Sequence, residues 1–139
     1  MASIHKEVTI KARPELVWDA LRDIGALHTR LVPGFVTDVK LEEGARLVTF
    51  GNGMVVRELI VDIDEQARRL VWSAVGAGPT HHNASAQVFD DGAGGSRFVW
   101  IADVLPHAVA PGMAAMIEQG LAVIRKTLEK QAPTAQAPA

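Results

Sequence analysis

Two polar side chains, His82 and Arg57, are the candidates for chemistry because each shares a strand face with apolar residues. Successive side chains of a strand point to opposite faces of its sheet. The neighbours that share a face with His82 are apolar, so we expect His82 to point inward. In the strand that contains Arg57, the acidic residues Glu58 and Asp62 share the opposite face, which we expect to be the solvent side. We therefore expect Arg57 to point inward as well. A histidine can transfer protons near neutral pH, and a guanidinium can polarise a carbonyl.

Two other combinations of reactive residue types are excluded because successive side chains of a strand point to opposite faces. His81 and His82 are neighbours in one strand and point to opposite faces, so they do not form a metal-chelating pair. Ser85 lies on the face opposite His82, which argues against a Ser-His-Asp triad completed by Asp103. The sequence contains no Cys, which removes thiolate ligands and thiol nucleophiles. We therefore expect no metal and no cofactor.

Strands and short turns occupy most of the chain. Pro14 and Glu15 are typical of a helix start after the first strand, and Pro33-Gly34 ends a second short helix. Asn52-Gly53 predicts a tight hairpin turn. Because short turns connect the strands, the sheet should be antiparallel. The predicted strands are residues 3–12, 35–41, 46–50, 54–63, 68–75, 81–89 and 97–105. The predicted short helices are one of about three turns that starts at Pro14 and is interrupted at Gly25, and a second over residues 26–32.

A long helix is predicted over residues 111–130. It would be about 30 Å long, enough to lie across a sheet. Met113, Met116 and Gly120 give its first half flexible or absent side chains, so this half forms either a wall for a bound molecule or ordinary core packing. The residues at spacings of three and four that define its apolar side are Met113, Ile117, Gly120, Leu121, Ile124 and Leu128.

Length, charge and hydropathy exclude several classes of protein. The 139 residues favour one domain, residues 1–130, and the Ala-, Pro-, Gln- and Thr-only tail of residues 131–139 is predicted to be disordered. A net charge of −2, from 14 basic and 16 acidic residues, argues against nucleic acid as a partner. The N-terminus lacks an apolar signal core, and no run approaches the roughly 18 apolar residues of a membrane helix. We expect a cytoplasmic protein without membrane insertion.

An ordered set of segments resembles the START/SRPBCC superfamily of lipid-transfer-like and polyketide cyclase/dehydrase-like proteins. The segments are residues 12–18 with Leu21, residues 56–58 ahead of Asp62, residues 69–72, and residues 96–103 with Pro106. Residues 30–35 and 81–85 are similar to a bacterial subgroup of it. The resemblance covers roughly residues 3–130. It implies an α+β helix-grip fold, in which a seven-stranded antiparallel sheet wraps around a long C-terminal helix and two short helices follow strand 1.

The same resemblance implies a deep cavity between the sheet and the long helix. Arg57 and His82 would then be polar groups on its wall, and Arg30, near the mouth, could meet an acidic ligand group. The alternative is that Trp72 and Trp100 are ordinary core aromatics and that His82 lies in the core or at the rim, with its hydrogen bonds made within the protein. The other predicted ligand-binding residues are Trp72, Phe98, Trp100, Met113, Met116 and Gly120.

Three functions follow from this arrangement. The first is binding of a small apolar or aromatic molecule in the cavity, favoured by the apolar lining and the absence of Tyr and Cys. The second is a polyketide cyclase/dehydrase-type enzyme, with His82 as acid/base and Arg57 polarising a carbonyl. The third is a protein-interaction module. Val99 and Ile101, if exposed, would favour this third function or a homodimer.

Overall fold

Alternating apolar residues and short turns build one antiparallel sheet. The computed structural model describes residues 2–76 and 78–132. Seven strands pair in the order β1-β7-β6-β5-β4-β3-β2, and each neighbouring pair is antiparallel. The strands are β1 Ser3–Ile10, β2 Val36–Glu42, β3 Ala45–Phe50, β4 Val55–Asp64, β5 Arg69–Val75, β6 His81–Asp90 and β7 Ser96–Leu105.

The turn between β3 and β4 fixes the register of the most informative strand pair. Gly53 adopts φ +89°, a conformation that glycine takes without steric cost. The Met54 backbone N–H donates to Oδ1 of Asn52 at 2.9 Å, which closes the turn. The resulting ladder sets Arg46 opposite Glu58, and the next inward pair along the strands is apolar.

An irregularity in β4 divides that strand into two parts. The pairing with β5 shifts between Ile60 and Asp62, so Val61 is an extra residue that faces solvent. The alternation of inward and outward side chains is therefore not continuous along β4. Glu58 is buried before the bulge, whereas Asp62 is exposed after it.

The short helical region contains one α-helix and two tighter segments. Helix α1 spans Pro14–Arg22. Its Trp18 Nε1–H donates to Glu65 in the β4–β5 turn at 2.7 Å, which ties the helix to the sheet. The predicted second short helix is a five-residue π-helical segment at Leu27–Leu31, which follows a 3₁₀ turn at Ile24–Ala26.

The long helix α2 spans Ala110–Gln131 and packs against the sheet, with β1 among its neighbours. Its apolar side is buried, and Ile117 and Leu128 are fully buried. Helix α2 runs one residue past the predicted end, and Ala132 packs against the core. The rest of the predicted tail, residues 133–139, lies outside the described residues.

The predicted fold class is confirmed: a seven-stranded antiparallel sheet holds a long C-terminal helix, and a short helical region follows β1. No helix within the described residues combines the length and apolarity needed to cross a membrane.

Candidate functional site: a cavity between sheet and helix

A cavity of about 470 Å³ lies between the inner face of the sheet and helix α2. The π-helical segment and the loop after it contribute Leu27, Leu31 and Phe35 to its wall. This volume falls within the range of roughly 300–1,000 Å³ that is typical of small-molecule pockets. The helices thus roof a space that the strands alone would leave open.

Aromatic side chains of β5 and β7 form the floor of the cavity. The structure places Trp72, Phe98 and Trp100 on its wall, together with Met113 and Met116 from α2. The rings of Trp72 and Trp100 are adjacent, with centroids 5.8 Å apart and planes inclined by 59°. Both methionines and both tryptophans contact the same space, so flexible and rigid apolar surfaces face each other across it.

His82 reaches the cavity wall at the point where β5 and β6 separate. The last paired residues of the two strands are Trp72 and Ala84. Beyond them the Ala74 backbone N–H donates to Nδ1 of His82 at 2.9 Å, so the imidazole replaces a backbone carbonyl as acceptor. Ser73 Oγ donates to the His82 carbonyl at 2.5 Å on the same strand pair.

The protonation state of His82 follows from these contacts. The side chain is 7% exposed, and burial holds its pKa below the usual value of 6.5, with the neighbouring His81 acting in the same direction. The ring is therefore neutral at pH 7. Because Nδ1 accepts a hydrogen bond, the proton of the neutral ring resides on Nε2. His82 thus presents a hydrogen-bond donor rather than a charge.

The prediction that Arg57 points inward is wrong. Arg57 is exposed on the outer face of the sheet, where its Nε donates to Glu42 at 3.0 Å. The inward residues of this part of β4 are Val56 and Glu58. The bulge at Val61 removes the basis of the prediction, since Glu58 and Asp62 do not share a face.

The residues that the sequence interpretation missed are Arg46 and Glu58, which form a buried ion pair on the cavity wall. Arg46 Nε donates to Glu58 Oε1 at 2.9 Å, and the two side chains are only 4% and 9% exposed. A second Arg46 donor, Nη1–H, bonds the Ile24 carbonyl at 3.2 Å. The hairpin turn at Asn52-Gly53 was the signal that could have revealed them, because it sets these opposite charges directly across from one another.

Two other predicted site residues lie outside the cavity wall. Arg30 does not face a ligand, because its guanidinium bonds Asp19 at 2.6 Å and Asp23 at 3.0 Å, against helix α1. Gly120 lies behind the wall. A Cβ on Gly120 would come within 2.9 Å of Cζ3 of Trp100, so the glycine permits the indole to rest on the helix.

The inward polar groups form one row across four strands. Register pairs Arg46 with Glu58 and Glu58 with Ala74, and Ala74 bonds the imidazole of His82. Glu58 and His82 therefore flank Ala74 on its two sides. The small alanine leaves room between them. The row can therefore offer hydrogen bonds to a molecule that lies over β5.

Another donor of the wall has no protein partner. Within the described ranges, Nε1 of Trp100 is buried and makes no hydrogen bond. The described residues contain no cluster of three or more His, Asp or Glu side chains that could hold a metal ion. The chemistry that the site offers is hydrogen bonding and apolar contact.

Comparison with known proteins identifies the family. A family model described as polyketide cyclase/dehydrase and lipid transport matches residues 1–130. No curated protein matches the sequence significantly.

Solved structures reproduce the fold at low sequence identity. An uncharacterized protein from Bacillus thuringiensis is 20% identical, with a TM-score of 0.81, and the match covers 91% of this chain and 98% of that one. A START superfamily protein from Mycobacterium smegmatis is 13% identical, with a TM-score of 0.69, over 94% and 96% of the two chains. A point mutant of norcoclaurine synthase from Thalictrum flavum, in complex with a transition-state analogue, is 20% identical, with a TM-score of 0.66, over 93% and 94%.

The family match extends over nearly the whole described chain, and the structural neighbours share its sheet and long helix. The chain belongs to the polyketide cyclase/dehydrase and lipid transport family.

Proposed function

We propose that the protein binds a small apolar or aromatic molecule in the cavity between the sheet and α2. The observation that carries the proposal is the cavity itself, about 470 Å³ with two tryptophans on its wall. Native interiors contain few voids larger than a water molecule, so a space of this size in a small domain is not a packing defect. Membership of a lipid transport family supports the same function.

Tryptophan emission and a fluorescent dye test this function. N-phenyl-1-naphthylamine, an uncharged aromatic amine, should bind saturably and quench the tryptophans. Met116→Trp should strongly reduce the affinity, because it fills the cavity from α2. Ala115→Trp is the matched control, since Ala115 precedes it on the same helix and is exposed. Equal affinities in the two variants, or no saturable binding, would contradict the proposal.

Native mass spectrometry of protein purified from its own host tests whether the protein retains a natural ligand. We expect a non-covalent adduct in the wild type that is absent or weaker in Met116→Trp. An adduct that persists in the cavity-filling variant would place the bound molecule elsewhere.

Catalysis in the same cavity is a second candidate, supported by the row that contains Glu58 and His82. A neutral imidazole with its proton on Nε2 can donate a hydrogen bond that polarises a ligand carbonyl, and a carboxylate two strands away can accept a proton. The test is the chemical fate of the identified ligand over hours in wild type and His82→Asn. An unaltered ligand in the wild type would reject the enzyme for that compound.

An interaction surface on the outer face of β7 has less support. Val99 is buried and Ile101 is half-buried, so these two residues do not form an exposed apolar patch.

A further inference from the structure

Charges on the cavity wall cancel. Among the described residues that line it, Arg46 and Glu58 are the charged ones, and they are bonded to each other at 2.9 Å. Each is a full charge held away from water, with side chains 4% and 9% exposed. Their sum is zero, so the wall offers no net charge to a ligand.

His82, another polar group of the wall, adds no charge either. His82 accepts from Ala74 through Nδ1, and its burial keeps the ring neutral at pH 7. Its Nε2–H is a donor. Arg46 has five N–H donors in total, and its protein bonds run through Nε and Nη1. Together with the Nε1–H of Trp100, which has no partner among the described residues, these groups leave donors for a ligand.

A charged ligand would lose its hydration in this cavity without gaining a compensating charge. Transfer of an ionised group into a low-dielectric site is costly unless an opposite charge pairs with it. An anion could pair with Arg46 only by competing with Glu58. An uncharged oxygen acceptor, such as a ketone, ester or ether, meets the donors without that competition.

We propose that the cavity discriminates against ligands that carry a carboxylate or sulfonate and selects uncharged aromatic or apolar ones, because the wall charges of Arg46 and Glu58 neutralise each other. This inference rests on the proposed binding function and narrows its ligand class. It depends on the balance between Arg46 and Glu58, so a change in that balance should change the ligand preference.

A pair of dyes that differ in one charged group tests the preference. N-phenyl-1-naphthylamine and 8-anilinonaphthalene-1-sulfonate share their aromatic framework, and only the second carries a sulfonate. We expect the wild type to bind the uncharged dye at least about tenfold more tightly, because the sulfonate is desolvated without a free positive partner. Equal or tighter binding of the sulfonate dye would overturn the inference, while saturable binding of either dye would still support a ligand-binding cavity. Saturable binding of neither dye would contradict both.

Glu58→Gln removes the negative charge of the ion pair and so gives the cavity wall a net positive charge. It leaves Arg46 without its carboxylate, so the affinity for the sulfonate dye should rise relative to that for the uncharged dye. Glu42→Gln is the matched control, because Glu42 pairs with Arg57 at 3.0 Å on the exposed face. The control should keep the wild-type preference. An unchanged preference in Glu58→Gln would overturn the inference.

Two further variants keep the test informative if Glu58→Gln does not fold. Met113→Lys adds a positive charge to the half-buried part of the cavity wall without touching the ion pair, and it should shift the preference in the same direction. The double variant Arg46→Met with Glu58→Leu removes both charges and should retain the preference for the uncharged dye. An unchanged dye preference in the lysine variant, or a reversed preference in the double variant, would contradict a role for wall charge.

Discussion

His82 is the residue whose ionisation the fold controls most directly. Its pKa is lower in the folded protein than the value of 6.5 in the unfolded chain, chiefly because burial disfavours the charged ring. The unfolded chain therefore binds more protons once the pH falls below about 6.5, and stability should decrease through that range. A protonated Nδ1 would also be unable to accept from Ala74.

We predict that His82→Asn reduces this loss of stability on acidification. Asn lacks a titratable ring, and its Oδ1 can replace Nδ1 as the acceptor. The free energy of unfolding from urea titrations at about pH 7.5 and about pH 5.5 measures the effect, which is at most about 1.4 kcal/mol per pH unit for one group. His107→Asn, on an exposed residue, is the control. The same pH dependence in wild type and His82→Asn would exclude His82 as its source.

The two arginine–glutamate pairs on β3 and β4 should differ greatly in their effect on stability. We predict that Arg46→Ala costs about 3–5 kcal/mol of unfolding free energy, because it leaves Glu58 buried without its partner. Arg57→Ala should cost about 1 kcal/mol or less, since its pair with Glu42 is exposed to solvent. Chemical denaturation of the two variants compares them. Similar losses would mean that burial does not distinguish the pairs.

Sequence reasoning located His82 but not the ion pair, for a physical reason. The alternation along β6 is unbroken, with apolar residues on the His82 face, so parity alone is sufficient there. On β4 a cross-strand partner decides which charged residue is inside: Glu58 is buried because Arg46 faces it. The alternation of side chains between the two faces is counted within one strand, so it carries no information about a partner on the neighbouring strand.

Helix α2 and strand β7 meet at Gly120, and the contact between these two elements sets the position of Trp100 on the cavity wall. We predict that Gly120→Ala pushes the Trp100 ring toward the cavity, because the new methyl would lie 2.9 Å from Cζ3. The affinity for N-phenyl-1-naphthylamine should fall, while the gain in helix preference of about 0.5–1 kcal/mol offsets part of the strain. Gly120→Leu should overpack the contact and cost roughly 1–3 kcal/mol.

Gly112→Ala is the control for this substitution. Gly112 also lines the cavity, but a Cβ there would have no neighbour within 4 Å, so the variant gains helix preference without moving Trp100. Dye titration and thermal unfolding of both variants separate the two effects. If Gly120→Ala kept full affinity and gained as much stability as Gly112→Ala, the contact with Trp100 would not shape the cavity.

Most strands and the long helix were predictable from the sequence because periodicity and turn residues act locally. The bounds of β5, β6 and β7 differ from the predicted ranges by one residue at most. The bulge in β4 and the π-helical form of the segment at Leu27–Leu31 were not predictable in this way. Both depend on contacts with other elements, which override local preference.

At the scale of the whole molecule, the sequence interpretation assigned residues 1–130 to one domain. The family match to residues 1–130 is compatible with this division. We predict that removal of residues 133–139 leaves the melting temperature nearly unchanged, because Ala, Pro, Gln and Thr bury little apolar surface. A decrease of several degrees on thermal unfolding would show that these residues stabilise the domain.

The three tryptophans provide two reporters on the cavity and one control outside it. Trp72 and Trp100 lie on its wall, whereas Trp18 donates to Glu65 at 2.7 Å between α1 and the β4–β5 turn. Their indole N–H signals can be assigned with single Trp→Phe variants. A bound molecule should therefore affect two of the three signals.

A ¹H–¹⁵N NMR titration with N-phenyl-1-naphthylamine is the most direct test of the cavity as a ligand site. We predict that the indole signals of Trp72 and Trp100 shift together and saturate at one dye per protein. The Trp18 signal should stay in place, because its indole N–H is bonded to Glu65 outside the cavity. A titration that moves Trp18 alone, or that fails to saturate at Trp72 and Trp100, would contradict binding between the sheet and α2.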